Sequence, residues 1–474
     1  MKRTVLIMMA ILSVLNFSSC EKYTDILTPK GKNLLSTVDE LEYLLNYNFG
    51  ASNAFYLQNL YLIDNDIYPR LGNVANTLSG PKTLNYAMLT YDETVDRAML
   101  ATSDPSYLEM YSVITNRLNV VIQLVEGAPG NREKATRLKA EALILRAYLH
   151  YIIVNEYAKA YNPATAEQDG GIAYMNNIDY ETSPVKNTVA QVYAKMLEDV
   201  NAALSLGALP DLPPNSTKVS KAFAYAVKAQ ILISMRDYTG ALAAADTSLA
   251  FKNTLEDHRP FVATGIAARP AYTASDNLYY ATNSQNLPTN MVATVEILNN
   301  YFEPGNIMRY YTTCYSFTSG GVNYSQTNAL LYGIPGSLLF YSAEYQQNNA
   351  GMTVSDPMFI KAECLIRTGK ITEGMELINY IRQRRIRPVD YIALTATTEP
   401  AAMAHLKKLS RIEFLYTWKN FVNIKRWNTE AAYKETITRT ISGITYTLRP
   451  ESPIWILPFP KMATDYNSNL TQNF

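Results

Sequence analysis

Residues 357–385 read PMFIKAECLIRTGKITEGMELINYIRQRR. Apolar side chains recur at three-to-four spacing on both sides of a short break, Thr368-Gly369-Lys370. That period lines them along one face of a helix, and a glycine in a polar tripeptide stops one helix before the next begins. The stretch is therefore expected as two antiparallel helices, Pro357–Arg367 and Ile371–Arg385. Ala362 and Gly374 lie 12 residues apart across the turn, where missing side-chain bulk lets two helix backbones approach closely.

A second hairpin follows the same plan. Val219 to Met235 is helical in period, Arg236-Asp237-Tyr238-Thr239-Gly240 breaks it, and Ala241 to Phe251 resumes it. Ala229 and Ala241 are again 12 apart. Small residues at this separation are what helix pairs of tetratricopeptide type use, although two hairpins this far apart in the chain make no regular tandem array. Arg132 to Tyr157 carries Leu138, Leu145, Leu149, Ile152 and Ile153 at helical spacing, and Val189 to Leu206 is opened by Thr188 and closed near Gly207. The fold class is mainly α: a tetratricopeptide-like helix-pair scaffold with long irregular, loop-rich segments. Those segments, near 53–106 and 252–356, are rich in tyrosine and keep no helical period for long. A loop-rich stretch of that length inside a domain is usually functional. Near the end, Ile444-Thr445-Tyr446-Thr447-Leu448 reads as a short strand.

Composition removes several function classes. Across 474 residues, 42 Lys plus Arg balance 42 Asp plus Glu, so no concentrated basic surface exists for nucleic acid. Three cysteines make no disulfide framework, and Cys314 and Cys364 are expected unpaired. Three histidines, at 150, 258 and 405, have no metal-ligand spacing. Asp64-Asn65-Asp66 clusters oxygens but lacks the downstream Gly and Glu of a helix-loop-helix calcium site, so no metal and no cofactor is expected. Glu413, Glu430 and Glu451 form no evident acid/base couple and read as unpaired surface carboxylates; no nucleophile elbow, P-loop or dinucleotide fingerprint appears. The chain is not expected to be an enzyme. The basic run Arg382, Arg384, Arg385 and Arg387 reads as complementing a helix dipole and solvent.

The N-terminus is a targeting signal. Lys2-Arg3 precede 13 residues, Val5 to Phe17, too short to span a bilayer but suited to a signal peptide. The run ends Phe17-Ser18-Ser19-Cys20, small residues before a cysteine, as in bacterial lipoproteins. Residues 1–19 are then a signal peptide, and Cys20 carries the lipid, including palmitate-like acyl chains, that holds one domain, 20–474, on a membrane. The unusual count is 36 Tyr against 14 Phe and 3 Trp. Tyrosine joins a flat apolar face to a polar tip, which suits stacking on a sugar ring or a peptide side chain.

Taken in order, the motifs resemble the SusD/RagB outer-membrane lipoproteins of Bacteroidetes nutrient-uptake systems. Cys20 is followed by Tyr23-Thr24-Asp25-Ile26-Leu27-Thr28-Pro29, similar to the family's lead after its lipidated cysteine. YLEMYSVITNRLN (Tyr107–Asn119), KAEALILRAYLHYIIVNEY (Lys139–Tyr157) and TVAQVYAKMLED (Thr188–Asp199) resemble three successive family helices. Phe359 to Arg385 resembles its Ala-Glu and Leu-Asn-x-x-Arg helices. Leu457-Pro458-Phe459-Pro460 and Asn469-Leu470-Thr471-Gln472-Asn473 resemble its Pro-Ile-Pro and Gln-Asn ending. Near the C-terminus Arg411, Glu413, Arg426 and Trp427 fit the family's pattern, but its Glu-Gly becomes Thr417-Trp418 and its Arg and Asp become Asn420 and Asn423.

The resemblance implies four tetratricopeptide-like helix pairs and a surface lipoprotein that caps a SusC-like, TonB-dependent outer-membrane transporter. It implies ligand contacts on the loop side, often aromatic; composition and rough family position select Asp66, Tyr68, Tyr107, Tyr301, Arg309 and Tyr310. An oligosaccharide is the first expectation. A peptide, or no small ligand at all beyond the transporter, are the alternatives, and the position of all three Trp between 418 and 455 weighs against a tryptophan platform.

Overall fold

The structure is a computed structural model that describes residues 35–47, 57–69, 71–178, 183–260, 271–282, 291–306, 317–319, 322–324 and 348–474. Cys20, Cys314, Arg309 and Tyr310 lie outside the described residues. Helix boundaries follow local chemistry. Thr188 accepts from the Gln191 N–H while the Gln191 side chain returns to the Thr188 N–H, a capping box that opens helix Val189–Ser205. Gly207, at φ 64, follows its end, where a Cβ would be strained. Ser220 and Asp237 cap Lys221–Ser234 and Tyr238–Phe251 by accepting the backbone N–H of Phe223 and Gly240. The later hairpin forms as Ser355–Arg367 and Ile371–Gln383, with Gly369 at φ 83 in its turn.

These helices pack in chain order: 132–157 on 189–205, then 221–234, 238–251, 355–367, 371–383 and 399–413. The two hairpins, distant in sequence, are therefore neighbours in space. Ala229, Ala241, Ala244 and Ala245 share one buried cluster with Ile360 and Cys364, the latter a free thiol. A Cβ added at Gly374 would lie 2.6 Å from Ile366 Cγ1 and 3.1 Å from the Ala362 carbonyl. Small residues thus sit where the backbones touch, as their spacing predicts. The 26-residue helix Arg132–Tyr157 is buried on every side from Ala140 onward, which explains its near-continuous apolar character.

Much of the polar content of the sequence motifs is inside. Arg146 donates through Nε to Asp199 at 2.7 Å, through Nη2 to its other oxygen at 2.5 Å, and through Nη1 to Asn119 at 2.9 Å. Tyr174 adds its hydroxyl to Asp199. Glu363 takes a bidentate pair from Arg426 at 2.8 and 2.7 Å and the Trp427 indole N–H at 3.0 Å. Gln472 bonds both the N–H and the C=O of Phe459, and Asn473 donates to the carbonyls of Tyr157 and Gly171, so the ending is a strap across the foot of the long helix.

Three expectations need correction. Residues 53–106 are not irregular throughout: Gln58–Ile63, Leu71–Ser79, Leu84–Thr90 and Arg97–Leu100 are short helices, the last two capped by Thr83 and Asp96, and all are too brief to show a period. The basic run is not a solvated helix end, because Arg382 and Arg385 are buried in ion pairs with Glu303 and Glu413. Glu413 and Glu430 are accordingly paired, the latter with Arg367. The strand at Ile444–Leu448 forms as read and pairs with Ile437–Ile441 across a Ser442-Gly443 turn, both residues at positive φ.

Candidate functional site

The two tyrosine-rich segments meet. Strand Ile67–Pro69 pairs antiparallel with Met291–Ala293, placing Tyr68 opposite Val292. The turn before it, Asp64-Asn65-Asp66, puts Asn65 at φ 66, a conformation that Asn tolerates better than most residues. Thr294 locks the turn from the second segment, its Oγ1 donating to the Asn65 carbonyl at 2.7 Å and its N–H to that of Asp66 at 3.2 Å.

Two buried arginines hold the turn to the scaffold. Arg439 donates to Asn65 Oδ1 at 2.8 Å and to backbone carbonyls of Leu62 and Leu89. Arg411 donates to the Asp64 carbonyl at 2.8 Å and to Asp66 Oδ1 at 2.9 Å, while Asn420 Nδ2 donates to Asp66 Oδ2 at 2.9 Å. Asn420, one of the departures from the family pattern, thus serves a carboxylate that already has its cation. Burial first, and the Asp66 charge second, push the Asp64 carboxyl well above the usual carboxylate range. Asp66 is also raised by burial, with Arg411 opposing.

Arg411 carries the network outward. Its guanidinium carbon lies 4.8 Å from the centroid of the Tyr301 ring, within cation–π range. The Tyr301 hydroxyl donates to Glu435 Oε1 at 2.8 Å, and Glu435 pairs with Lys407 at 2.9 Å. Burial raises the Glu435 carboxyl, but Arg411 and Lys407 outweigh it and hold it below its usual value. Burial pushes the Tyr301 phenol up to about 12, so it stays a hydrogen-bond donor. Glu303, two residues on, is gripped by Arg382 at 2.9 and 2.5 Å, and Asn306 bridges to Ile386. The second segment is thereby pinned at both ends of 291–306.

Of the six selected residues, Asp66 and Tyr301 come together on Arg411, and Tyr68 lies on the strand that begins directly after Asp66. Asp66 itself is fully buried, so its part is to fix Arg411. Tyr107 lies apart and buried, 5.1 Å centroid to centroid from Tyr157 and 6.1 Å from Phe459. Arg411, Glu435 and Asn420 complete the cluster without having been singled out as ligand-side residues; Arg411 and Asn420 were legible only as motif positions. Trp418, Trp427 and Trp455 are all buried, so no tryptophan offers an accessible ring.

Residues 34–233 match the profile of a family described as starch-binding and associating with the outer membrane, and residues 340–474 match that of the SusD family. Among solved structures, a SusD superfamily protein from Bacteroides thetaiotaomicron is similar at 17% identity and a TM-score of 0.71, covering 92% of this chain and 100% of the other. A protein from Bacteroides vulgatus described as a putative sugar binding protein is similar at 16% identity and 0.68, covering 93% and 99%. Another from that species, described as a SusD-like carbohydrate binding protein, is similar at 15% and 0.65, covering 92% and 97%. No curated protein matches the chain. No described helix is long and apolar enough to cross a membrane. The structural likenesses establish the tetratricopeptide-like helical fold, and by its two family matches the chain belongs to the SusD/RagB family.

Proposed function

We propose that this protein captures oligosaccharide at the outer surface of the outer membrane, held there through a lipid on Cys20, and passes it to a SusC-like TonB-dependent transporter. The observation that carries the reading is the junction of the two tyrosine-rich segments. There Tyr301 is held by Arg411 and Glu435 beside the strand that carries Tyr68. Tyr301, Tyr68, Arg309 and Tyr310 are assigned to ligand contact, and Asp66 to positioning. A fixed ring flanked by charged hydrogen-bonding groups suits a pyranose, whose axial C–H face stacks while its hydroxyls bond to carboxylate or guanidinium.

Calorimetric titration of the purified chain in detergent with glycan and peptide panels tests this. Saturable binding of one glycan class, weakened roughly tenfold or less by Tyr301→Ala as expected for one aromatic contact, supports it. Binding of peptides alone sinks the glycan reading. Co-purification with a barrel from the native membrane tests the partner separately.

A further inference from the structure

The hairpin Ile437–Ile441 and Ile444–Leu448 stands as a sheet of two strands, so each strand has one edge facing away from the other. Ser442 and Gly443, at φ 51 and 80, make the type I′ turn whose flanking residues, Ile441 and Ile444, bond each other. Antiparallel pairs alternate, so Arg439 with Tyr446 and Ile437 with Leu448 also bond inward. The N–H and C=O of Thr438 and Thr440 therefore face one outer edge, and those of Thr445 and Thr447 face the other.

The two edges differ. Asn65 Nδ2 donates to the Thr438 carbonyl at 3.1 Å, and the Thr440 N–H donates to Glu296 Oε1 at 3.0 Å. Side chains of the two tyrosine-rich segments thus close the first edge. On the second, the N–H and C=O of Thr445 and Thr447 have no partner among the described residues. Both threonines are exposed, and Ile444 beside them is 57% exposed. The usual guards against strand addition are missing: ITYTL (Ile444–Leu448) has no charge and no proline, and its pairing has no bulge. Isoleucine, threonine and tyrosine also favour the extended chain.

We propose that this open edge pairs with the same edge of a second copy of the chain, antiparallel, about a two-fold axis through Tyr446. Register and charge both select that occupant. A contact made by one surface on both copies must be self-complementary, and Thr445 and Thr447, placed symmetrically about Tyr446, meet that condition. Thr445 of each copy faces Thr447 of the other, and every outward N–H and C=O finds its counterpart. No charged side chain lies within the strand to repel its own copy. Arg449, the next residue, falls opposite Gly443 and is already paired with Glu93 at 2.8 Å. Ile444 falls opposite Leu448, on the face it shares with Tyr446, so pairing also covers exposed apolar surface.

Disulfide trapping in the full chain, purified in detergent, reads this register. Tyr446→Cys sets its two copies directly opposite at a non-hydrogen-bonded position, with Cα atoms about 4.5 Å apart, within a disulfide's reach. Thr445→Cys sets them out of line and beyond that reach. Mild oxidation should give a linked dimer with Tyr446→Cys and none with Thr445→Cys or with the wild type, the control for the native cysteines. Adding Thr445→Pro and Thr447→Pro to Tyr446→Cys removes the outward N–H groups, spares the inward ladder and should abolish the dimer. Equal trapping at 445 and 446, or none at either, refutes the pairing. Hydrogen exchange of the unmodified chain is a test that needs no substitution. The Thr445 and Thr447 amides should exchange more slowly in concentrated than in dilute protein. Exchange independent of concentration overturns the proposal, and so does slowing seen only on adding outer-membrane extract, which would give the edge to another protein.

Discussion

Glu363 is a carboxylate with three donors aimed at it and almost no water around it. Burial raises its pKa, yet Arg426 more than compensates and holds it below the usual range. Removing one partner of such a pair leaves a buried charge uncompensated, at a cost of about 3–5 kcal/mol. Glu363→Gln should lower urea-unfolding stability by that order, and the double change Glu363→Leu with Arg426→Leu should cost distinctly less; equal losses would contradict the account. His150 shows a different dependence. Its Nδ1 donates to the Arg146 carbonyl at 2.9 Å and its Nε2 accepts the Met175 N–H at 3.0 Å, a pattern only the neutral ring can satisfy. Burial holds its pKa down to about 3, against about 6.5 when unfolded. Between those values the unfolded chain binds the extra proton. The stability from neutral His150 is therefore complete above about pH 6.5 and is lost as pH falls toward 3. Asp276, raised by burial to about 6, works oppositely above its usual 3.8. Comparing wild type with His150→Gln at each pH cancels that effect. The wild type should lose stability on acidification more steeply than the variant.

At the scale of elements, the two hairpins show what spacing alone reveals. Ala362 and Gly374 were legible as a close approach because only small residues relieve backbone contact, and the 2.6 Å clash awaiting a Cβ at Gly374 is that approach measured. Gly374→Ala should cost about 1–3 kcal/mol by overpacking, read as a lower denaturant midpoint. Adding Ile366→Ala, which removes the atom in the way, should cost less than the sum of the two single changes. The short helices of 53–106 were not legible, since four to nine residues contain too few turns for a period to emerge. Nor was the pairing of Ile67–Pro69 with Met291–Ala293, because three-residue strands carry no alternation and their register is set by Thr294, Arg411 and Arg439. The grip of Arg382 on Glu303 makes a further expectation. Glu303→Gln should speed amide hydrogen exchange in Val295–Asn300 while leaving exchange in Ser355–Arg367 unchanged.

Across the whole molecule, the C-terminal strap joins parts far apart in the chain. Gln472 and Asn473 satisfy backbone groups of Phe459, Tyr157 and Gly171, and Lys186 reaches Thr471 and Asn473 from the opposite side. Deleting residues 469–474 would leave several partly buried groups unpaired, each worth about 1–3 kcal/mol, so the thermal midpoint should drop by several degrees. A midpoint unchanged by the deletion would show that the strap is ornamental. The motifs by which the chain resembles its family are mostly of this kind: Asn119, Arg146, Asp199, Glu363, Arg426, Gln472 and Asn473 all bind other parts of the same chain. That is why family and scaffold could be read from one sequence, whereas Asp66 and Tyr107, chosen for the ligand, proved to be buried. Helix periods, caps and small-residue spacings are local or nearly so, and each is written within a few turns of chain. Whether a tyrosine stands in solvent, as Tyr272 does, or lies over an arginine, as Tyr301 does, depends on partners tens to hundreds of residues away. The sequence determined the scaffold because its interactions recur at fixed spacing; the tertiary structure alone decided which of the tyrosines remain at the surface.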